Sequence, residues 1–391
     1  RWNEERDLVT SILELQTRLD EELQDQGEIT SNELRDTLSE KMAALAELQG
    51  EQPLVLPQVT AQTIAEVVAL WTGIPVGNML SQEVERLMAL ESHIGERVIG
   101  QITPIAELSQ AIRLSRAGLT DPRKPVGVFL MCGPSGVGKT ETALALTDLL
   151  YGGERNITTI NMTEFKEAHK VSMLLGSPAG YVGYGKGGVL TEAVRKNPYS
   201  VLLLDEMEKA HPSVHDIFYQ IFDKGAISDS EGRHVDFRNT IIIMTSNAAD
   251  SAVVDACSEE RPDVPSLTHT IFPELQKHFK PAFLGRATIV PYFPLNDDEM
   301  AKIAALSLQR IRQRVDEHYG ASFDYDPQVI EQLVHLNESP ETGARAIEQI
   351  INRQLMPNLA NQCIQRMSEN QPVEAVHVGV DSNGLFDIRI Q

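Results

Sequence analysis

Cysteine is scarce in this chain: three in 391 residues, Cys132, Cys257 and Cys363, far apart and with no CxxC pair. That excludes a disulfide framework and a cysteine-based zinc site, and it points to a reducing compartment, the cytoplasm. Basic residues are also short, 34 Lys and Arg against 56 Asp and Glu, for a formal net charge of −22. Contacts to a phosphate backbone need clustered cations, so nucleic acid is not the expected partner, although a local basic channel stays open. No apolar run approaches the ~20 residues of a membrane-spanning helix, so no membrane partner is expected. No signal-peptide pattern opens the chain, which begins at Arg1 rather than methionine; the expectation is a piece of a longer protein.

What is present is a chain long enough for two or three domains, with an ordinary 42% of hydrophobic residues. Its most informative stretch is GPSGVGKT (133–140), which matches G-x-x-x-x-G-K-[ST]. Glycines let consecutive backbone N–H groups turn inward toward an anion. Gly133, Pro134, Ser135, Gly136, Val137 and Gly138 would wrap the phosphates of a nucleotide, with Glu141 just beyond. Lys139 would reach the β- and γ-phosphates and Thr140 would hold Mg²⁺. The flanks agree. VGVFLMC (126–132) has the length of a buried strand, and ETALALTDLLY (141–151) has helical apolar spacing.

Around this motif the chain divides. Residues 1–50 are charged and helical in pattern, with Leu8, Ile12, Leu15, Leu19 and Leu23 at three- and four-residue steps. They read as a helical hairpin or the end of a coiled coil, or equally as an ordinary amphipathic surface helix. Residues 51–119 read as a linker followed by helices, with a break at Thr72–Pro75. From 120 to 294 strand-like runs (157–161, 200–204, 240–245) alternate with helical ones, which predicts an α/β fold with a parallel sheet between helices. From 295 to 391 helices dominate and a short β-like tail (373–390) follows, as in a smaller second domain.

Two further strand ends carry chemistry. VLLLDE (201–206) is an apolar run closing in two carboxylates, and the carboxyl edge of a parallel sheet is where α/β folds bind ligands. Asp205 would hold Mg²⁺ and Glu206 would polarise the attacking water as general base. IIIMTSN (241–247) ends in Asn247, placed to hydrogen-bond the water or the γ-phosphate.

GPSGVGKT, VLLLDE and TSN in this order resemble the AAA+ ATPases. WTGIPVGNML (71–80), RVIGQ (97–101), AIRLSRAGLTDP (111–122), GYVGYGKGGVLTEAVRKNPYSVLLLDEMEKAH (180–211) and TGAR (342–345) are similar to the second ATPase module of the Clp ring unfoldases. The resemblance covers the chain from about residue 60 onward. GPSGVGKTETALAL, INMTEFKEAH, FLGRATIVPYFPL and TGARAIEQIINRQLMPNLA are closest to the ClpV branch, which serves bacterial type VI secretion, and less like the ClpB disaggregases.

The resemblance implies an AAA+ P-loop module with a small, mainly helical lid domain, preceded by the end of a middle coiled-coil domain. It implies that Val98 and Ile99 flank the adenine and that Arg286 is an arginine finger reaching a neighbouring subunit's γ-phosphate. Arg345 becomes a second sensor from the small domain, and Tyr181 with Val182 the pore loop that grips polypeptide. The wording around the finger departs from close ClpB relatives, with Gly285 before it and Ala287 and Thr288 after it. The loop 228–236, with Asp229, Glu231 and Arg233, reads either as a second pore contact or as a polar connection. The implied partners are five further copies in a hexamer and polypeptide substrates, type VI sheath proteins first; the implied cofactors are ATP and Mg²⁺. A ClpP-type protease is not expected, because 248–275 contains no glycine for an apolar-Gly-Phe/Leu docking tripeptide. A disaggregase and a slowly hydrolysing binding switch are the rival readings.

Overall fold

The computed structural model describes residues 1–24, 28–50, 54–59, 63–64, 67–68, 79–176, 187–337, 343–369 and 371–390, without the side chains of 20–24, 28–33 and 79–83. The chain forms two compact units, Arg1–Trp71 and Thr72–Gln391. Among the described residues no helix is long and apolar enough to cross a membrane. The expected pore-loop residues Tyr181 and Val182, and the break at Thr72–Pro75, lie outside the described residues.

The first unit is a helical hairpin, Trp2–Gln24 against Glu28–Gln49. Val9, Ile12 and Leu45 form its buried seam, with Leu8, Leu38 and Val55 against it. Of the apolar three- and four-residue steps, Leu8 and Ile12 fall on this helix-to-helix seam. The base of the hairpin is polar. The Glu5 carboxylate is fully buried and accepts from Arg1 Nε at 2.9 Å, Leu54 N at 2.8 Å and Val55 N at 3.2 Å. Burial pushes this carboxyl up, but the N–H groups of Leu54 and Val55, with Arg1 and Gln49, outweigh it and hold the group below its ordinary value.

The second unit is built on a five-stranded sheet in the order β2-β3-β6-β1-β7. The strands are β1 Gly127–Cys132, β2 Ile157–Asn161, β3 Val201–Asp205, β6 Ile241–Ser246 and β7 Thr288–Pro291, and every pairing is parallel. The alternation of side chains explains the layers. Phe129, Met131, Val201, Leu203, Ile241 and Ile243 face one core with Leu90, Ile94, Ile105, Leu108 and Leu146 from helices. Leu130, Cys132, Leu202, Leu204, Ile242 and Met244 face the other, with Phe218, Ile221, Leu267 and Ile271. Both faces of the interior strands are buried, which is why they read as continuous apolar runs.

Helices fill the crossovers, chiefly Lys139–Tyr151, Val189–Lys196, Pro212–Lys224 and Val264–Gln276. A two-stranded antiparallel hairpin, β4 Ala226–Ser228 with β5 His234–Asp236, occupies the connection expected as a loop. Asp229 at its turn is buried and accepts from the N–H of Glu231 and Arg233 and from Arg195. That acid holds the turn and is not a free charge.

A separate core around Leu308, Phe323, Leu333, Ile347, Leu355 and Val378 belongs to the C-terminal part. It packs the helices Asp297–Tyr319, Pro327–His335, Ala344–Ile350 and Met356–Ser368 against a three-stranded sheet ordered β10-β9-β8. Its strands are β8 Ser322–Tyr325, β9 Ala375–Val380 and β10 Phe386–Ile390. The first helix starts at a reciprocal cap: Asn296 Oδ1 accepts from Glu299 N at 2.9 Å and Glu299 Oε2 accepts from Asn296 N at 3.0 Å.

Candidate functional site

The sheet's carboxyl edge carries the chemistry-bearing residues, because β1, β3 and β6 all end there. After β1 the chain wraps through 133–138 into the helix Lys139–Tyr151. Gly138 caps this helix at φ 103°, a left-handed conformation, and a Cβ there would lie 2.9 Å from Val98 Cγ1. Only glycine suits both demands. The helix N-terminus beyond it is a ready anion site of exposed N–H groups and positive dipole.

Around this loop lies a cavity of about 300 Å³. Val98, Ile99, Ser135, Gly136, Val137, Gly138, Lys139, Thr140, Glu141, Asp205, Glu206, Asn247 and Arg345 all line it. Gly133 and Pro134 do not line it; their carbonyls accept from Lys139 Nζ, at 3.0 Å for Pro134. The same ammonium donates to Asn247 Oδ1 at 2.7 Å, so cation and amide share one spot. Burial lowers the Lys139 pKa, and nearby Asp250, Glu208 and Asp205 offset part of that.

The two acids at the end of β3 are held differently. The register Leu204↔Met244 sets Asp205 beside Thr245, and Thr245 Oγ1 donates to Asp205 Oδ1 at 2.5 Å. Glu206 has φ 56°, and no other non-glycine residue among those described has a positive φ. Such a conformation costs about 1–3 kcal/mol and persists where surroundings impose it. Glu206 N donates to Thr245 Oγ1 at 3.0 Å. Behind them, Asp250 Oδ1 and Glu208 Oε2 are buried without a hydrogen-bond partner among the described residues. Burial raises the Asp250 carboxyl to about 6; Lys139 opposes the rise and Glu208 adds to it.

The C-terminal subdomain closes one side of the cavity with Ile303, Leu306, Ser307, Arg310, Ala344, Arg345 and Glu348. Ala344 N donates to Gly136 O at 3.0 Å, and Arg345 Nη1 lies 3.3 Å from Ser135 Oγ. Gly343 makes the approach possible, since a Cβ there would come within 2.7 Å of Ser135 O. Glu141 Oε1 accepts from Arg97 Nε at 3.0 Å and from Arg310 Nη2 at 3.2 Å, which ties the loop's helix to both neighbours.

Arg286 is elsewhere. It is not among the cavity-lining residues. Its Nε donates to both oxygens of Asp223 at 2.9 and 3.0 Å, its Nη1 to Ala282 O at 2.8 Å, and its guanidinium lies 5.3 Å over the Tyr219 ring. Sequence reasoning missed Arg97, Thr245, Ser307, Arg310 and Glu348 as lining residues. Thr245 was within reach, two residues before Asn247. Arg310 had no local signal.

Oxygen donors suit Mg²⁺: the Thr140 hydroxyl and the Asp205 carboxylate line one cavity, and only Oδ1 of Asp205 is taken by Thr245. Among the described residues no group of three or more His, Cys, Asp or Glu could cage a metal. These residues fit an ion shared with nucleotide phosphates, as Mg²⁺ prefers.

A parallel sheet, a phosphate-wrapping loop after an interior strand and paired acids on a neighbouring strand define a P-loop nucleotide-binding module. Comparison with known proteins places it further. Residues 124–290 match the AAA domain (Cdc48 subfamily) and 295–378 the C-terminal, D2-small domain of ClpB protein. The chain is 45% identical to AAA+ ATPase ClpV1 of Pseudomonas aeruginosa over 98% of its own length and 44% of that protein. It is 46% identical to chaperone protein ClpB of Yersinia enterocolitica over 92% of its length and 41% of that protein. Among solved structures it resembles a closed-state cryo-EM reconstruction of Hsp104 with ATPγS and FITC-casein, with TM-score 0.74 and 32% identity over 92% of this chain and 60% of that one. The chain belongs to the AAA+ ATPases, as an ATPase module of the ClpB/ClpV type. It spans less than half the length of these curated relatives.

Proposed function

We propose that this chain is the ATP-hydrolysing second module of a ring-forming motor that remodels proteins by threading polypeptide. The observation that carries the reading is the single cavity in which Lys139, Thr140, Asp205, Glu206, Asn247 and Arg345 meet around the phosphate loop. In the proposed reaction the loop N–H groups and Lys139 bind the β- and γ-phosphates, and Val98 and Ile99 lie against the base. Thr140 and Asp205 hold Mg²⁺, which when bound neutralises charge on the phosphates. Glu206 takes the proton of the attacking water, Asn247 orients that water, and Arg345 answers the γ-phosphate from the C-terminal subdomain.

Arg286 supports a shared site. It is absent from its own chain's cavity, which is the arrangement a finger acting on a neighbouring subunit requires. Its planar fork suits charge on a transferring phosphoryl group. A hexamer follows as part of the proposal, with Tyr181 and Val182 as its polypeptide-gripping loop. The substrate proposed is the contracted type VI secretion sheath in the bacterial cytoplasm, on the strength of the likeness to ClpV1; the comparable likeness to ClpB makes disaggregation the second reading. Docking to a ClpP-type protease is not part of the proposal.

ATP turnover per subunit, measured against protein concentration beside sizing chromatography, tests the shared site. It should rise as the chain assembles and fall with Arg286→Ala. A rate that stays flat across assembly would remove the trans finger. Tyr181→Ala should stop sheath disassembly and leave basal turnover; equal loss of both would count against threading. Aggregate reactivation with no effect on sheaths would select the disaggregase.

A further inference from the structure

Thr245 holds both ends of the acid pair with one hydroxyl. It lies in β6 opposite Met131 of β1, is 3% exposed, and lines the nucleotide cavity. Its Oγ1 has one proton and two acceptor sites. The proton goes to Asp205 Oδ1 at 2.5 Å, and an acceptor site takes Glu206 N–H at 3.0 Å. The first contact fixes which oxygen of Asp205 is spent and leaves Oδ2 for other work. The second contact anchors the backbone of the one described non-glycine residue with positive φ. An L-residue leaves that conformation when nothing holds it, and its side chain then points elsewhere.

We infer that Thr245 is a positioning residue: its hydroxyl aligns the Mg²⁺-holding carboxylate of Asp205 and the water-polarising carboxylate of Glu206 as a single unit. The inference rests on the proposed hydrolytic reading of Asp205 and Glu206. It goes beyond that reading by assigning the alignment of both acids to one side chain on the neighbouring strand. A hydroxyl is needed at this place because only a group that donates and accepts at once can serve a carboxylate oxygen and a backbone N–H together. Valine fills the same volume without either bond.

The test compares the full chain with Thr245→Val, Thr245→Ala, Thr245→Ser and Glu206→Gln. Three quantities are measured: ATP turnover with kcat and KM resolved, the affinity for a fluorescent ADP with and without Mg²⁺, and the thermal midpoint. Thr245→Val and Thr245→Ala should lose about 10- to 100-fold in kcat, the worth of a hydrogen bond to a charged group, with KM little changed. Both should also lose part of the gain in ADP affinity that Mg²⁺ confers on the wild type, which a merely structural role would not move. Thr245→Ser, which keeps the hydroxyl, should recover most of the turnover and of the Mg²⁺ effect.

Wild-type kcat and Mg²⁺ response in either Thr245→Val or Thr245→Ala would overturn the inference. So would equal impairment of Thr245→Ser and Thr245→Val when both melt with the wild type. Glu206→Gln separates the levels. If it is inactive while the hydroxyl-free variants are normal, the positioning role alone falls. If Glu206→Gln turns over ATP as the wild type does, the hydrolytic reading falls and the inference with it.

Discussion

Two carboxylate sites in this molecule, one fully buried and one half-buried, are built to opposite rules. At the base of the N-terminal hairpin, Glu5 is fully buried and accepts hydrogen bonds from Arg1, Leu54 and Val55. Close to Lys139 of the nucleotide cavity, Asp250 and Glu208 each keep a buried oxygen without a hydrogen-bond partner among the described residues, and Glu206, which lines the cavity, is held in a left-handed conformation. A buried charge whose oxygens are taken up by hydrogen bonds has its desolvation cost offset and fixes a shape. Carboxylate oxygens left without a hydrogen bond and a strained residue are costly, and such features cluster at functional sites. The hairpin base is built as a structural anchor, and the strain and unsatisfied oxygens gather instead around the cavity proposed as the reactive site.

Three changes break or sharpen that contrast. The largest effect falls at the cavity. Lys139→Ala removes the buried cation that Gly133, Pro134 and Asn247 surround, and the affinity for a fluorescent ADP should fall by about 100-fold, as for truncation of one member of a buried charge pair. An affinity within a few-fold of wild type would deny the loop its role.

A middle-sized effect is expected from Asp250→Asn. The folded chain keeps the Asp250 proton up to about 6, whereas an ordinary aspartate loses it near 3.8. Between those pH values the folded state binds more protons than the unfolded one, so this residue makes stability fall as pH rises from about 4 to about 6. Above that range the penalty is constant, on the order of 1–2 kcal/mol after allowing for partial exposure. Asp250→Asn should therefore raise the thermal midpoint at pH 7.5 and leave it nearly unchanged at pH 4. A lower midpoint at pH 7.5 would mean that the ionised acid is wanted there.

The smallest effect on the whole chain is expected at the hairpin base. Glu5→Gln removes a carboxylate whose pKa is lowered in the fold. Its contribution is present above the ordinary glutamate value and is lost as pH falls through the lowered folded value. Amide exchange at Leu54 and Val55 should speed up by about 10-fold at neutral pH, with nucleotide affinity unchanged. Unchanged exchange at both amides would show that the carboxylate does not hold them.

The legibility of the chain follows the same division. The phosphate loop, Asp205, Glu206 and Asn247 could be read because each sits at the end of an apolar run whose length marks a buried strand. β7 and β8 were not read: TIVP is four residues closing in proline, and SFDY buries only Phe323 fully. The β4–β5 hairpin was hidden because its strands are three residues each. Within the site, Arg97 and Arg310 reach Glu141 across 44 and 169 positions of sequence, and no local pattern encodes such a pairing. The double use of the Thr245 hydroxyl depends on the register between β3 and β6, which appears only once the strands are paired.

The most direct test of the central claim is the ATP turnover of Glu206→Gln, taken beside its affinity for fluorescent ADP. The cavity geometry predicts unchanged affinity and a kcat lower by about 100-fold or more, as for loss of a general base. Turnover at the wild-type rate with nucleotide bound would contradict it.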